Sequence, residues 1–342
     1  MQGRRRATAL GAAFLAVSLA AVQAAARTPP QPASARLNPA PPAGLAAAPW
    51  HALAFATALH GWLVTQAPAS PADMAVFGTT DGGRRWRLLD THLDVPADAM
   101  GVAALAASGR AVEMAVSLGV GACQAWFLVL RSDDGGRTWR RAGTLLGSDG
   151  PTAVLALPEP LVVNGDCANP GIDLEAPVRG RWLPVGGLSG PRGALRGAGP
   201  TAVSAWAADR TVDVAAAYAS GEAGAGPLLT FDTAPGPTGP WHAVPFGGAG
   251  IGGTVRALAV AGRRRGLAVA GKTSLRLYRL CADGGVWRAV PGVAIPPGAE
   301  VQLAWATAQV AYLAVSSPAG GALWRSVDGG VRWRRMAPRL YA

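Results

Sequence analysis

Ser132-Asp133-Asp134-Gly135-Gly136-Arg137-Thr138-Trp139 packs the parts of one stapled hairpin into a single short segment. A hydroxyl and a carboxylate two residues apart accept hydrogen bonds from the backbone N–H groups of the turn that follows. Asp-Gly supplies the positive φ that a tight hairpin requires. The Trp closes the turn by laying a large apolar ring across the adjoining strands. These carboxylates therefore read as architecture and not as acid–base catalysts.

The segment recurs. Thr79-Thr80-Asp81-Gly82-Gly83-Arg84-Arg85-Trp86 and Ser326-Val327-Asp328-Gly329-Gly330-Val331-Arg332-Trp333 repeat it at full length. Cys281-Ala282-Asp283-Gly284-Gly285-Val286-Trp287 is one residue short, Thr230-Phe231-Asp232 with Trp241 reads as a degraded copy, and Arg179-Gly180-Arg181-Trp182 keeps the end alone. The staple residues are thus Thr79, Asp81, Gly83 and Trp86; Ser132, Asp134, Gly136 and Trp139; Asp283 and Trp287; Ser326, Asp328, Gly330 and Trp333.

The Trp positions 86, 139, 182, 241, 287 and 333 lie 43 to 59 residues apart. Periods near 40–50 suit four-stranded propeller blades. Short apolar β-prone runs separated by turn signals precede each staple, as in Leu53 to Thr57, Gly61 to Gln66 and Met74 to Gly78. The expected fold is all-β: a six-bladed β-propeller of four-stranded antiparallel blades, with seven blades as the alternative. The propeller spans 49–342, with blades near 49–92, 100–146, 151–188, 200–246, 253–293 and 300–338. The first and last units each own four strands, so closure does not require a borrowed N-terminal strand.

With these residues the chain resembles the Asp-box (BNR-repeat) propellers from Trp50 onward. Phe55, His60-Gly61-Trp62-Leu63-Val64 and Thr79-x-Asp81-Gly82-Gly83-x-x-Trp86 resemble a blade of the photosystem II assembly and stability factors and of similar exported bacterial proteins. That resemblance implies a non-enzymatic scaffold binding membrane-protein subunits. Asp boxes also occur in sialidases and other glycosidases, so the box marks a blade and not a function.

The N-terminus reads as export machinery. Arg4, Arg5 and Arg6 precede the uncharged run Ala7 to Val22, and small residues near Ala24 and Ala26 offer a cleavage site, so 1–26 is a signal peptide. Left uncleaved, its 20 uncharged residues would anchor the chain. Residues 27–48, rich in Pro and Ala, form a disordered tether. The expected location is extracytoplasmic: secreted, periplasmic or cell-surface. The net charge of +11 falls to +8 when the leader's three arginines leave. That balance suits an acidic or membrane-protein surface, while export excludes a genomic nucleic-acid partner. A monomer is expected.

A glycosidase needs two carboxylates facing each other over the substrate. Glu113, Asp173, Glu175, Asp213 and Glu222 remain outside the staples, and no spacing pairs them. Tyr218, Tyr278, Tyr312 and Tyr341 sit beside no carboxylate pattern that a sialidase would use. His51, His60, His92 and His242 are isolated, so neither a metal nor a cofactor is expected. The function expected is a non-catalytic binding scaffold, with an exported sialidase-like glycoside hydrolase or a glycan-recognising surface module as alternatives. Arg263-Arg264-Arg265 forms a cationic knob for an acidic partner. Arg87, Arg140, Arg141, Arg288, Arg334 and Arg335 follow staple Trp residues and are expected to guard outer strand edges. Cys123 and Cys167 fall in equivalent positions of neighbouring units and are expected to form a disulfide, leaving Cys281 free.

Overall fold

The computed structural model describes residues 49–341 apart from 68–69, 122–123, 148–149, 158–159, 166–170, 179–180, 191–198, 209–210, 221–224, 245, 272, 282–285 and 318–319. The leader, the tether, Cys123, Cys167, Asp283 and Glu222 lie outside these residues.

Twenty-five strands account for all regular structure among the described residues. Blade 1 holds β1 (Trp50–Phe55), β2 (Gly61–Ala67), β3 (Ser70–Thr79) and β4 (Arg85–Asp90). Blade 2 holds β5 (Gly101–Ser108), β6 (Ala111–Gly121), β7 (Gln124–Ser132) and β8 (Arg140–Gly147). Blade 3 holds β9 (Thr152–Leu155), β10 (Leu161–Gly165), β11 (Gly171–Val178) and β12 (Arg181–Ser189). Blade 4 holds β13 (Ala202–Ala208), β14 (Thr211–Tyr218), β15 (Leu228–Ala234) and β16 (His242–Val244). Blade 5 holds β17 (Thr254–Val260), β18 (Gly266–Gly271), β19 (Arg276–Leu280) and β20 (Trp287–Ala289). Blade 6 holds β21 (Glu300–Trp305), β22 (Ala311–Ser317), β23 (Gly320–Ser326) and β24 (Arg334–Met336), and β25 (Arg339–Tyr341) ends the chain. Each blade is a consecutive antiparallel meander, so the protein is a six-bladed β-propeller.

The second strand of each blade is sandwiched between both neighbouring blades. Its sequence therefore reads as a continuous apolar run instead of alternating. In β14 every residue after Thr211 is buried, and β18 is buried throughout. Alanines such as Ala115, Ala215, Ala268 and Ala311 keep these strands thin enough for neighbouring sheets to meet. Gly143 shows how close the approach is: at φ +149°, a Cβ there would lie 2.4 Å from Trp182 of the next blade.

Six apolar clusters fill the six seams between blades. The cluster between blades 6 and 1 is rich in aromatics. Phe55 and Tyr312 stack across it with centroids 3.6 Å apart, and Tyr312 Oη donates to Ala58 O at 2.8 Å. A strand from the C-terminus completes this closure: β25 runs parallel to β4, with Arg339, Leu340 and Tyr341 opposite Arg85, Trp86 and Arg87. Blade 1 thus has five strands, and β4 is not an outer edge as expected for Arg87. The parallel partner, three residues long, carries no periodic signal of its own.

Candidate binding surfaces

The staple turns set the geometry of one end of the toroid. In blade 2, Ser132 Oγ donates to Asp134 Oδ1 at 2.8 Å and accepts from Gly136 N at 2.7 Å. Asp134 Oδ1 accepts from the N–H groups of Arg137 and Thr138, and Trp139 Nε1 donates to Gly136 O at 3.1 Å. Blades 1 and 6 build the same turn around Thr79–Asp81–Trp86 and Ser326–Asp328–Trp333. The paired glycines adopt φ between +71° and +87° in all three.

Partial burial pulls these carboxyls up, yet the turn's N–H and hydroxyl donors outweigh it. Asp81 and Asp134 are held below the usual carboxylate range, and Asp328 falls to about 2. Each carboxylate is thereby occupied by its own turn. Asp134→Ala should cost about 1–3 kcal/mol, because two backbone donors lose their acceptor; a urea midpoint lowered at unchanged slope is the expected readout.

Two staples differ from expectation. In blade 4 the register places Ala234, not Thr230, opposite the start of the second strand, where blades 1, 2 and 6 put their hydroxyl. Ala234 and Trp241 then have the seven-residue separation of Ser132 and Trp139. Pro235, Pro237 and Pro240 hold this turn, and Asp232 lies upstream of it as a buried residue of β15. In blade 5 Trp287 donates to Gly247 O at 2.8 Å, outside its own turn.

The carboxylates outside the staples point into three seams, and Glu113 and Glu175 share one of them. Val112 and Met114 face blade 1, so Glu113 faces blade 3, where it meets Arg131 at 3.3 Å. Arg131 also donates to Leu157 O of blade 3. Burial pushes the Glu113 carboxyl up to about 8 against the pull of Arg131. Glu175 faces blade 2, because Leu174 and Ala176 pack toward blade 4. Burial, reinforced by Asp173, raises it to about 7. Strand alternation turns Asp213 toward blade 5 and Asp232 toward blade 3, and burial raises both. Tyr218, Tyr278 and Tyr312 are buried.

The first strands surround the central channel. Its mouth at the staple end is a cavity of about 460 Å³ lined by strand ends that include Phe55, Ala107, Leu155, Trp206 and Trp305. The other mouth is a cavity of about 260 Å³ whose lining includes Leu53, Leu105, Arg256 and Gln302. Among the described residues neither lining contains a carboxylate or a Tyr. Among the described residues no cluster of His, Cys, Asp and Glu could hold a metal, and Cys281 is buried and free.

Apart from Arg256, the cationic features lie outside the channel. Arg263, Arg264 and Arg265 are exposed in the turn between β17 and β18, where Arg265 N donates to Gly262 O at 3.3 Å. A groove of about 780 Å³ lies at the seam of blades 6 and 1. Arg84, Arg85, Arg325, Arg334, Arg335 and Arg339 line it, together with the Arg332–Asp328 pair at 2.8 Å. Among the described residues no other carboxylate lines it.

Fold and surfaces together define a six-bladed β-propeller whose described channel lining holds no carboxylate and whose seam between blades 6 and 1 is strongly basic. No family model matches the chain, and no curated protein matches it in sequence. Similar solved structures include a point variant of Aleuria aurantia lectin in complex with α-methyl-L-fucoside, at 14% identity over 84% of this chain and 94% of that one, TM-score 0.54. Another is Penicillium chrysogenum α-L-arabinanase complexed with arabinobiose, at 12% identity over 81% and 91%, TM-score 0.51. YCF48 from Cyanidioschyzon merolae shows 18% identity over 86% and 87%, TM-score 0.46. At these identities the likeness speaks for the fold alone, and the last score carries no argument.

Proposed function

We propose that the protein is a non-catalytic scaffold, exported by its N-terminal leader, that binds protein subunits of a membrane complex outside the cytoplasm. The observation that carries this reading is the channel lining. Propellers and other folds hydrolyse glycosides with two carboxylates converging on one substrate bond. Here the described channel lining is mainly Ala, Leu, Val and Trp without a carboxylate, and the buried carboxylates lie in the seams between blades, Glu113 with Glu175 in one and Asp213 and Asp232 in two others. The excess of exposed arginine favours an acidic face on the partner.

Crosslinking in the native envelope, followed by identification of the captured proteins, tests the reading. Capture of integral membrane-protein subunits in the extracytoplasmic fraction, weakened by added salt, is the expected result. The same purified chain should release no aryl group from sialoside or arabinofuranoside substrates above buffer. Turnover abolished by changing one carboxylate would replace the scaffold with a hydrolase.

A further inference from the structure

In an antiparallel blade the turn from first to second strand and the turn from third to fourth open at the same end. The basic knob and the staple turns therefore share one end of the toroid. In blades 5, 6 and 1 this end carries the exposed Arg263, Arg264, Arg265, Arg332 and Arg84. Among the described residues its acids are engaged: Asp81 and Asp328 by their own turns, Asp133 in blade 2 by Arg131 and Arg140. The connection from blade 1 to blade 2, which leads to the opposite end, carries the exposed Asp98, while its Asp94 is paired with Arg141 at 2.7 Å.

The basic end also exposes aliphatic side chains where the arginines are densest. Val327 is 61% exposed and Val331 48%, both in the blade 6 staple turn, and Leu59 is 49% exposed in the adjacent turn of blade 1. Val286 extends the set to blade 5. Water disfavours exposed valine, and a soluble polyanion would leave it exposed. An interface with arginine at the phosphate level and apolar tips below it suits both groups.

We propose that this end of blades 5, 6 and 1 docks on an anionic lipid surface. Arg334, Arg335 and Arg84 at the groove, and the knob beyond it, engage headgroup phosphates with their bidentate forks. Val327, Val331 and Leu59 enter the headgroup layer. The opposite end then faces away from the membrane. This proposal is separate from the scaffold reading, since a vesicle contains no protein subunit.

The test uses the full chain carrying Val327→Cys, labelled with a nitrobenzoxadiazole fluorophore, with the unsubstituted chain as labelling background. Vesicles of equal parts phosphatidylglycerol and phosphatidylcholine should produce a blue shift and brightening at position 327. The same label at Met100→Cys, on the opposite end, should not respond, even if the leader itself binds lipid. Arg334→Glu with Arg335→Glu should raise the lipid midpoint at least about tenfold, with the circular dichroism melt confirming a folded chain. Arg263→Ala, Arg264→Ala and Arg265→Ala together provide a second variant that should move it in the same direction. The proposal is overturned by an unresponsive label at 327, an equal response at 100, or an equal response to phosphatidylcholine alone. Reproduction of the blue shift by inorganic polyphosphate, or a midpoint unmoved in both variants, overturns it as well. Loss of vesicle binding with subunit capture intact leaves the scaffold standing.

Discussion

Trp86→Ala should destabilise the protein by about 3–5 kcal/mol, the largest loss expected of any single staple residue. Its indole is fully buried and belongs to the cluster between blades 6 and 1. The ring meets Phe55 edge-on, with centroids 5.9 Å apart, and Phe55 stacks in turn on Tyr312 of blade 6. Trp86 also sits opposite Leu340 in the parallel pairing that ties the C-terminus to blade 1. Removing the ring therefore leaves a cavity against three elements that belong to both ends of the chain. Trp139 performs the same hydrogen-bonding role in blade 2 but is only partly buried, so Trp139→Ala should lose less. Circular dichroism in urea separates the two variants. Equal midpoints would mean that the staple hydrogen bond, common to both, matters more than burial at the closure.

The blades were legible because each intact staple has a fixed length and because the apolar runs before it are short. The residues Ser132, Asp134 and Trp139 define a turn almost without tertiary context. Blade 4 misleads for a physical reason: Thr230 and Asp232 reproduce the hydroxyl-to-carboxylate spacing inside a strand, while the actual turn begins at Ala234 and is held by prolines. Such a turn needs no Asp, so composition does not reveal it.

The closing strand and the basic groove were hidden for another reason. Arg339-Leu340-Tyr341 becomes a strand only because Arg85-Trp86-Arg87 lies beside it, across nearly the full length of the chain. The groove brings Arg84 and Arg85 to Arg325, Arg334 and Arg335 by the same ring closure. In linear order these arginines read as edge guards on separate blades. Only the toroid makes them neighbours, and the loop-tip valines among them look ordinary until that end is assembled.

Glu175→Gln should leave stability nearly unchanged at pH 5 and raise it by on the order of 3 kcal/mol above pH 8. Glu175 is 5% exposed in the seam between blades 2 and 3, and its Oε2 has no hydrogen-bond partner among the described residues. Burial, followed by the nearby Asp173 charge, lifts its carboxyl from 4.5 to about 7. The folded state therefore holds this proton more tightly than the unfolded state does. Below the unfolded value both states are protonated and the full stability is present; as pH rises from 4.5 through 7, folding must increasingly retain a proton or bury a charge, and stability falls. Glutamine has the shape of the neutral acid and no proton to lose, so the variant escapes that decline. Glu113, in the same seam, offers no such gain, because Glu113→Gln would deprive Arg131 of a buried partner. The apolar cluster at this seam contains few large side chains beyond Phe127 and Leu145, which leaves little to mask the effect. Urea midpoints of wild type and Glu175→Gln at pH 5, 7 and 8.5 decide the matter: parallel curves would place the carboxylate in contact with water, and a widening gap would place it in the seam.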